Sequence, residues 1–84
     1  MEKFTVLRQY WLESERGWGI RPDGYSLHLT REHRKHFVNE YWDTMPDEVP
    51  DEYSRPDGEP ELIEVDESTY NQVKASKNGI RRYR

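Results

Sequence analysis

Residues 46–60 limit the fold more than any other stretch of the chain. Pro46, Pro50, Pro56 and Pro60 punctuate it at short intervals, with Gly58 between the last two. Proline fixes φ and removes a backbone donor, so neither a helix nor an interior strand is expected to run through such a segment. The expectation is a long acidic, proline-rich loop, unusual in a compact domain. It carries a short internal echo, Met45-Pro-Asp-Glu followed by Val49-Pro-Asp-Glu and then Tyr53, and Val49 and Tyr53 are the residues able to pin it to the body.

Ahead of the loop, Phe4, Val6, Tyr10 and Leu12 alternate with Thr5, Leu7, Gln9 and Trp11, a strand with one apolar and one mixed face. Glu13 to Gly17 reads as a polar turn and Trp18 to Arg21 as a short second strand. Pro22-Asp23-Gly24 has tight-turn chemistry, after which Tyr25, Leu27 and Leu29 alternate with Ser26 and His28. A three-stranded meander is the simplest outcome. Thr30 is a helix N-cap, and Phe37, Val38, Tyr41, Trp42 and Met45 form one helical stripe that Pro46 closes.

Beyond the loop, Glu61 to Val65 suits a strand and Asp66 an N-cap. Glu67 to Ser76 suits a short helix burying Tyr70 and Val73, and Lys77-Asn78-Gly79 a helix stop. Ile80 to Arg84 returns as an edge strand whose arginines discourage aggregation. The fold class is therefore α+β, a small antiparallel sheet in the order β-β-β-α-β-α-β with one long helix packed on one face. Phe4, Tyr41 and Trp42 are assigned to the core, and the other sheet face would expose Leu7 and Trp11.

Eighty-four residues support one core and one domain, 1–84. A charged content of 36% would point to disorder, but three Trp, six Tyr and two Phe supply large apolar area and favour an ordered fold. With no cysteine there is neither a disulfide nor a thiolate metal site, which fits a reducing compartment. No apolar run approaches the ~20 residues of a membrane span, and Met1-Glu2-Lys3-Phe4 lacks a signal-peptide apolar stretch. The expected location is the cytoplasm.

The net charge of −4 hides a strong segregation. Residues 40–67 hold twelve acids against the single base Arg55, while the flanking segments are net positive. So many carboxylates repel one another and contribute little to folding. They either solubilise a loop or present a negative surface to a basic partner. Duplex DNA is excluded as a direct partner, because the only basic group is the C-terminal Lys74, Lys77, Arg81, Arg82 and Arg84.

Catalytic and metal chemistry find little support. His28, His33 and His36 match no standard zinc spacing, and Asp51 to Glu61 fails the calcium-loop pattern because Arg55 interrupts it. No nucleophile is seen paired with a base, and no glycine-rich loop precedes a helix. No catalytic residue, metal or cofactor is expected.

In size, lack of cysteine, aromatic richness and the acidic stretch Asp47-Glu48-Val49-Pro50-Asp51-Glu52-Tyr53, the chain resembles small acidic phage and mobile-element proteins, anti-CRISPR proteins among them. The resemblance is one of general character, and no family residue is carried over. It implies a non-enzymatic inhibitor whose acidic surface blocks a basic nucleic-acid-binding or recruitment surface of a host nuclease complex. The expected contact residues are Glu40, Asp43, Asp47, Glu48, Asp51 and Glu52, followed by Asp57 and Glu59. Tyr53, Trp42 and Trp11 add aromatic anchors. An antitoxin or immunity protein held against a basic toxin is the alternative, and a small metal-dependent hydrolase using the three histidines is a further one.

Overall fold

A computed structural model describes residues 3–15, 19–44 and 53–82. The elements are β1 (Phe4–Glu15), β2 (Gly19–His28), α1 (Arg31–Asp43), β3 (Tyr53–Val65), α2 (Glu67–Ala75) and β4 (Ile80–Arg82). All pairings are antiparallel, and the strands lie in the order β3-β1-β2-β4. The α+β class stands, with four strands among the described residues instead of the five expected and the element order β-β-α-β-α-β.

The lost strand follows from how Pro22-Asp23-Gly24 is used. β2 runs straight through these residues, with Tyr10 opposite Tyr25 and Leu12 opposite Pro22, so that one extra residue of β2 is absorbed as a bulge. Gly24 takes a φ of 75°, the left-handed conformation such a bulge requires. Turn chemistry here bends a strand without ending it.

The proline-rich loop is corrected in the same way. Residues 53–60 belong to β3, where Pro56 lies opposite Trp11 and Arg55 opposite Leu12. Proline is tolerated because β3 is an edge strand, whose outward positions have no ladder bond to lose. Two extra residues of β3 are taken up between Asp57 and Glu61, at Gly58 with φ 69°. Residues 45–52, with Met45 and Val49, lie outside the described residues, as do Arg16 to Trp18.

Both helices begin as their sequences suggest. Thr30 Oγ1 accepts the His33 amide at 3.1 Å, and Asp66 Oδ1 accepts the Thr69 amide at 2.7 Å. Hydrogen bonds from the Thr69 side chain first and from its amide second hold the Asp66 carboxyl below its ordinary range.

The helices pack on opposite faces of the sheet. Phe4 and Val6 meet α2, where Val6, Leu27 and Val73 form the buried apolar cluster, with Ile63, Val65, Tyr70 and Ile80 against it. Gln9 and Trp11 point to the other side, where Arg34, Phe37 and Tyr41 of α1 cover them. The expected arrangement of one helix on one face therefore becomes three layers. Trp11, expected to be exposed, is completely buried, and Leu7 is buried as well. Trp42, assigned to the core, is 38% exposed instead. Tyr41 and Phe4 are half-buried.

Candidate functional site

The α1 side of the sheet is built around buried polar side chains. Gln9, Ser26 and His28 are fully buried beside Trp11. Isolated polar groups in that position would be destabilising, so each requires a partner. Trp11 Nε1 can only donate, and it gives its proton to Ser26 Oγ at 2.7 Å. The Ser26 hydroxyl is then left to donate to His28 Nε2, also at 2.7 Å. His28 Nδ1 donates in turn to the Asn78 carbonyl at 2.8 Å. This order of donors assigns His28 the neutral Nδ1–H form. Burial pushes its pKa below the ordinary histidine value, against the opposing pull of the Asn78 carbonyl; nearby Arg34 and His33 lower it further.

Neighbouring groups complete the network. Arg34 Nε donates to Gln9 Oε1 at 2.7 Å, and Gln9 Nε2 is shared among the carbonyls of Tyr10, Asp57 and Gly58. The two carbonyls on β3 belong to its bulge, so Gln9 holds the irregular part of that edge in place. Arg81 places its guanidinium 4.3 Å from the centre of the Trp11 ring and bonds Asp23 through both the carbonyl and the carboxylate. Ser54 Oγ donates to the same carboxylate. Asp23 thus fastens the β2 bulge to β3 and β4.

Gly79 closes the network from below. Its φ of 140° and its position leave no room for a side chain, because a Cβ there would overlap His28 Nδ1 and the Leu27 carbonyl. The segment read as a helix stop also seats the chain on a buried histidine.

Ser26 and His28 correct the expectation that no nucleophile is paired with a base. Their geometry is that of a general-base pair. Both residues are fully buried here, and Ser26 Oγ also accepts the Trp11 indole N–H. Phe37 stacks edge-on over His28 with ring centres 4.9 Å apart, and closes the side facing α1. The pair acts as a structural strut.

The open part of this side is a cleft of about 290 Å³ lined by Phe37, Glu40, Tyr41, Thr44, Ser54 and Arg81. Tyr41 packs edge-on against both Trp11 and Trp42, and its hydroxyl accepts the Ser54 amide at 2.7 Å. The last turn of α1 is thereby tied to the start of β3. Trp42 and Asp43 are exposed on the same last turn of α1.

The acidic residues divide between two situations. Glu40 is bonded by Lys77 at 3.2 Å and by Asn78, which together hold its carboxyl below the usual range. Glu59 meets Arg31 at 3.9 Å, Glu64 meets Lys3 at 3.4 Å, and Glu61 pairs with Arg8. These pairs are exposed and each contributes little to stability, but they offset charge on β3. Glu61 faces the α2 side and Glu59 the α1 side, so the acids of β3 do not share one surface. Asp57 is exposed at the bulge. Asp47, Glu48, Asp51 and Glu52 lie outside the described residues, as does the side chain of Tyr53.

The three histidines do not converge. His28 has both ring nitrogens engaged in the interior, whereas His36 is exposed beside Glu32 at 3.7 Å. Among the described residues no cluster of three metal-ligating side chains occurs, and no helix is long and apolar enough to cross a membrane.

Sequence reasoning did not single out Gln9, Ser26, Arg34 or Arg81. The available signal was register: Gln9 shares the period-two row of Leu7 and Trp11, and Ser26 alternates with Leu27. Compared with known proteins, the chain matches no family model, no curated protein and no solved structure.

Proposed function

We propose that this protein is a non-enzymatic binding domain of the anti-CRISPR type, which docks the α1 end of the molecule on a basic surface of a nucleic-acid-handling protein. The observation that carries the reading is Trp42, a large ring left 38% exposed in the last turn of α1, next to Asp43 in the chain. Exposed tryptophans anchor interfaces because they bring contact area at low entropic cost. The chain leaves this same end, after Thr44, to enter the stretch carrying Asp47, Glu48, Asp51 and Glu52. Partner recognition would combine an aromatic anchor with carboxylates that steer association. The burial of Ser26 and His28 supports a binding role over a catalytic one.

Cleavage of target DNA by purified CRISPR effector complexes, with and without the protein, tests this reading. Inhibition of one effector is expected, and it should weaken as salt rises. Reversing the charges of Asp47, Glu48, Asp51 and Glu52 should slow association and flatten that salt dependence, while Trp42→Ala should speed dissociation. Inhibition that survives both changes, or no inhibition of any effector, would remove the reading.

A further inference from the structure

The α2 side of the sheet is only half covered. α2 lies over Phe4, Val6, Leu27 and Ile63 and reaches Arg82 through Gln72; Tyr25 borders the apolar cluster, and Arg8 and Tyr10 continue the same face past it. The molecule is elongated, 48 × 23 × 19 Å. On this open stretch Tyr10 is 44% exposed, and Tyr25 stands edge-on beside it with ring centres 6.5 Å apart. The Arg8 guanidinium lies 4.8 Å from the centre of the Tyr10 ring. Arg55, exposed on β3, falls on the same face opposite Leu12.

We infer that this open face binds single-stranded nucleic acid, with Tyr10 stacking on a base beside the edge of Tyr25 and Arg8, Arg55 and Arg82 meeting phosphates. Flat rings interleaved with guanidinium groups on a sheet are the arrangement that single strands need. Every base has a face to stack, and a flexible backbone can follow scattered cations. A duplex hides its base faces and demands a continuous basic stripe, which this surface lacks. Locally the three arginines outnumber Glu61 and Asp57. Arg8 already shares its charge with Glu61, and Arg82 reaches Gln72 at 3.2 Å, which leaves Arg55 as the principal phosphate contact. The overall charge of −4 does not forbid this. Glu40 and Asp43 belong to α1, on the far side of the sheet, and packed layers lie about 10 Å apart, beyond the ~8 Å screening length at physiological salt. The surface is separate from the cleft on the α1 side, so its fate is independent of the inhibitor reading.

Fluorescence anisotropy on the full chain tests the inference, using labelled oligo(dT) and oligo(U) of about ten nucleotides, within the site sizes of small single-strand binders. A duplex of equal length and a poly-glutamate peptide serve as competitors. Binding at low salt is expected to fall about tenfold in Tyr10→Ala and to persist in Tyr10→Phe, which keeps the ring. Tyr10 is exposed, so the alanine variant should fold, and its circular dichroism provides the check. The double variant Arg55→Glu, Arg82→Glu should give a shallower salt dependence, by about one unit of log–log slope. A preference between the two oligomers would identify DNA or RNA as the ligand. No binding at low salt, an unchanged affinity in Tyr10→Ala, or equal competition by the duplex or by poly-glutamate would overturn the inference.

Discussion

The two faces of the sheet are closed by different means. On the α2 side Val6, Leu27 and Val73 pack as an apolar cluster, where each side chain gains about 1.5–3 kcal/mol by leaving water. On the α1 side one large ring, Trp11, is surrounded by Gln9, Ser26 and His28, whose polar atoms are all engaged. An apolar cluster asks for volume and tolerates swaps that preserve it. A buried polar network asks for specific partners, and losing one partner strands another. The α1 side is therefore the more exacting half of the molecule, although it looks the more polar in sequence.

Truncation of Trp11 should give the largest effect. Trp11→Ala removes the ring that meets Phe37, Tyr41 and Arg81, and it should cost about 3–5 kcal/mol in urea unfolding, as much as Leu27→Ala on the opposite face. A cost below about 1 kcal/mol would mean that α1 does not close this face. Next in size, Gly79→Ala should lose about 1–3 kcal/mol, because the backbone conformation and the overlap with His28 both oppose a Cβ. Its thermal unfolding should match wild type if residues 76–79 do not seat on the histidine.

The sharpest contrast uses two neighbours on opposite faces. Ser26→Ala removes a single oxygen but leaves the Trp11 indole and His28 Nε2 without their partner, at about 1–3 kcal/mol. Leu27→Met changes shape while keeping volume and should cost under about 1.5 kcal/mol. Chemical denaturation of the two variants is expected to rank Ser26→Ala as the more damaging. The reverse ranking would erase the distinction between the faces.

The elements legible in the sequence were those whose local signals agreed with their tertiary role. Thr30 and Asp66 cap helices as short-range chemistry requires, and Tyr70 and Val73 turn inward as the pattern of the second helix implies. The errors came where strong local signals served a different tertiary purpose. Pro22-Asp23-Gly24 and the Pro56 to Pro60 stretch look like turns taken alone, yet each is a bulged strand held by pairing with β1. Gln9, Ser26 and His28 look like an exposed face because period-two reading assigns polar rows to solvent. Only the packing of α1 shows that they are interior. As for the candidate surface, Trp42 and Asp43 are named from sequence as contacts while Trp42 is also assigned to the core, and the cleft lined by Phe37, Tyr41 and Ser54 depends on Tyr41 reaching Ser54, a contact no local pattern predicts.

Titration of the imidazole nitrogens by ¹⁵N NMR tests most directly whether the α1 side is a closed polar core. A depressed folded pKa means that His28 contributes stability fully above the unfolded value of 6.5, and that this contribution is lost as pH falls through that value toward the folded one. At pH 6.5, where a free histidine is half protonated, His28 should be predominantly neutral with its proton on Nδ1. A His28 ring half protonated at that pH, or carrying its proton on Nε2, would contradict the account.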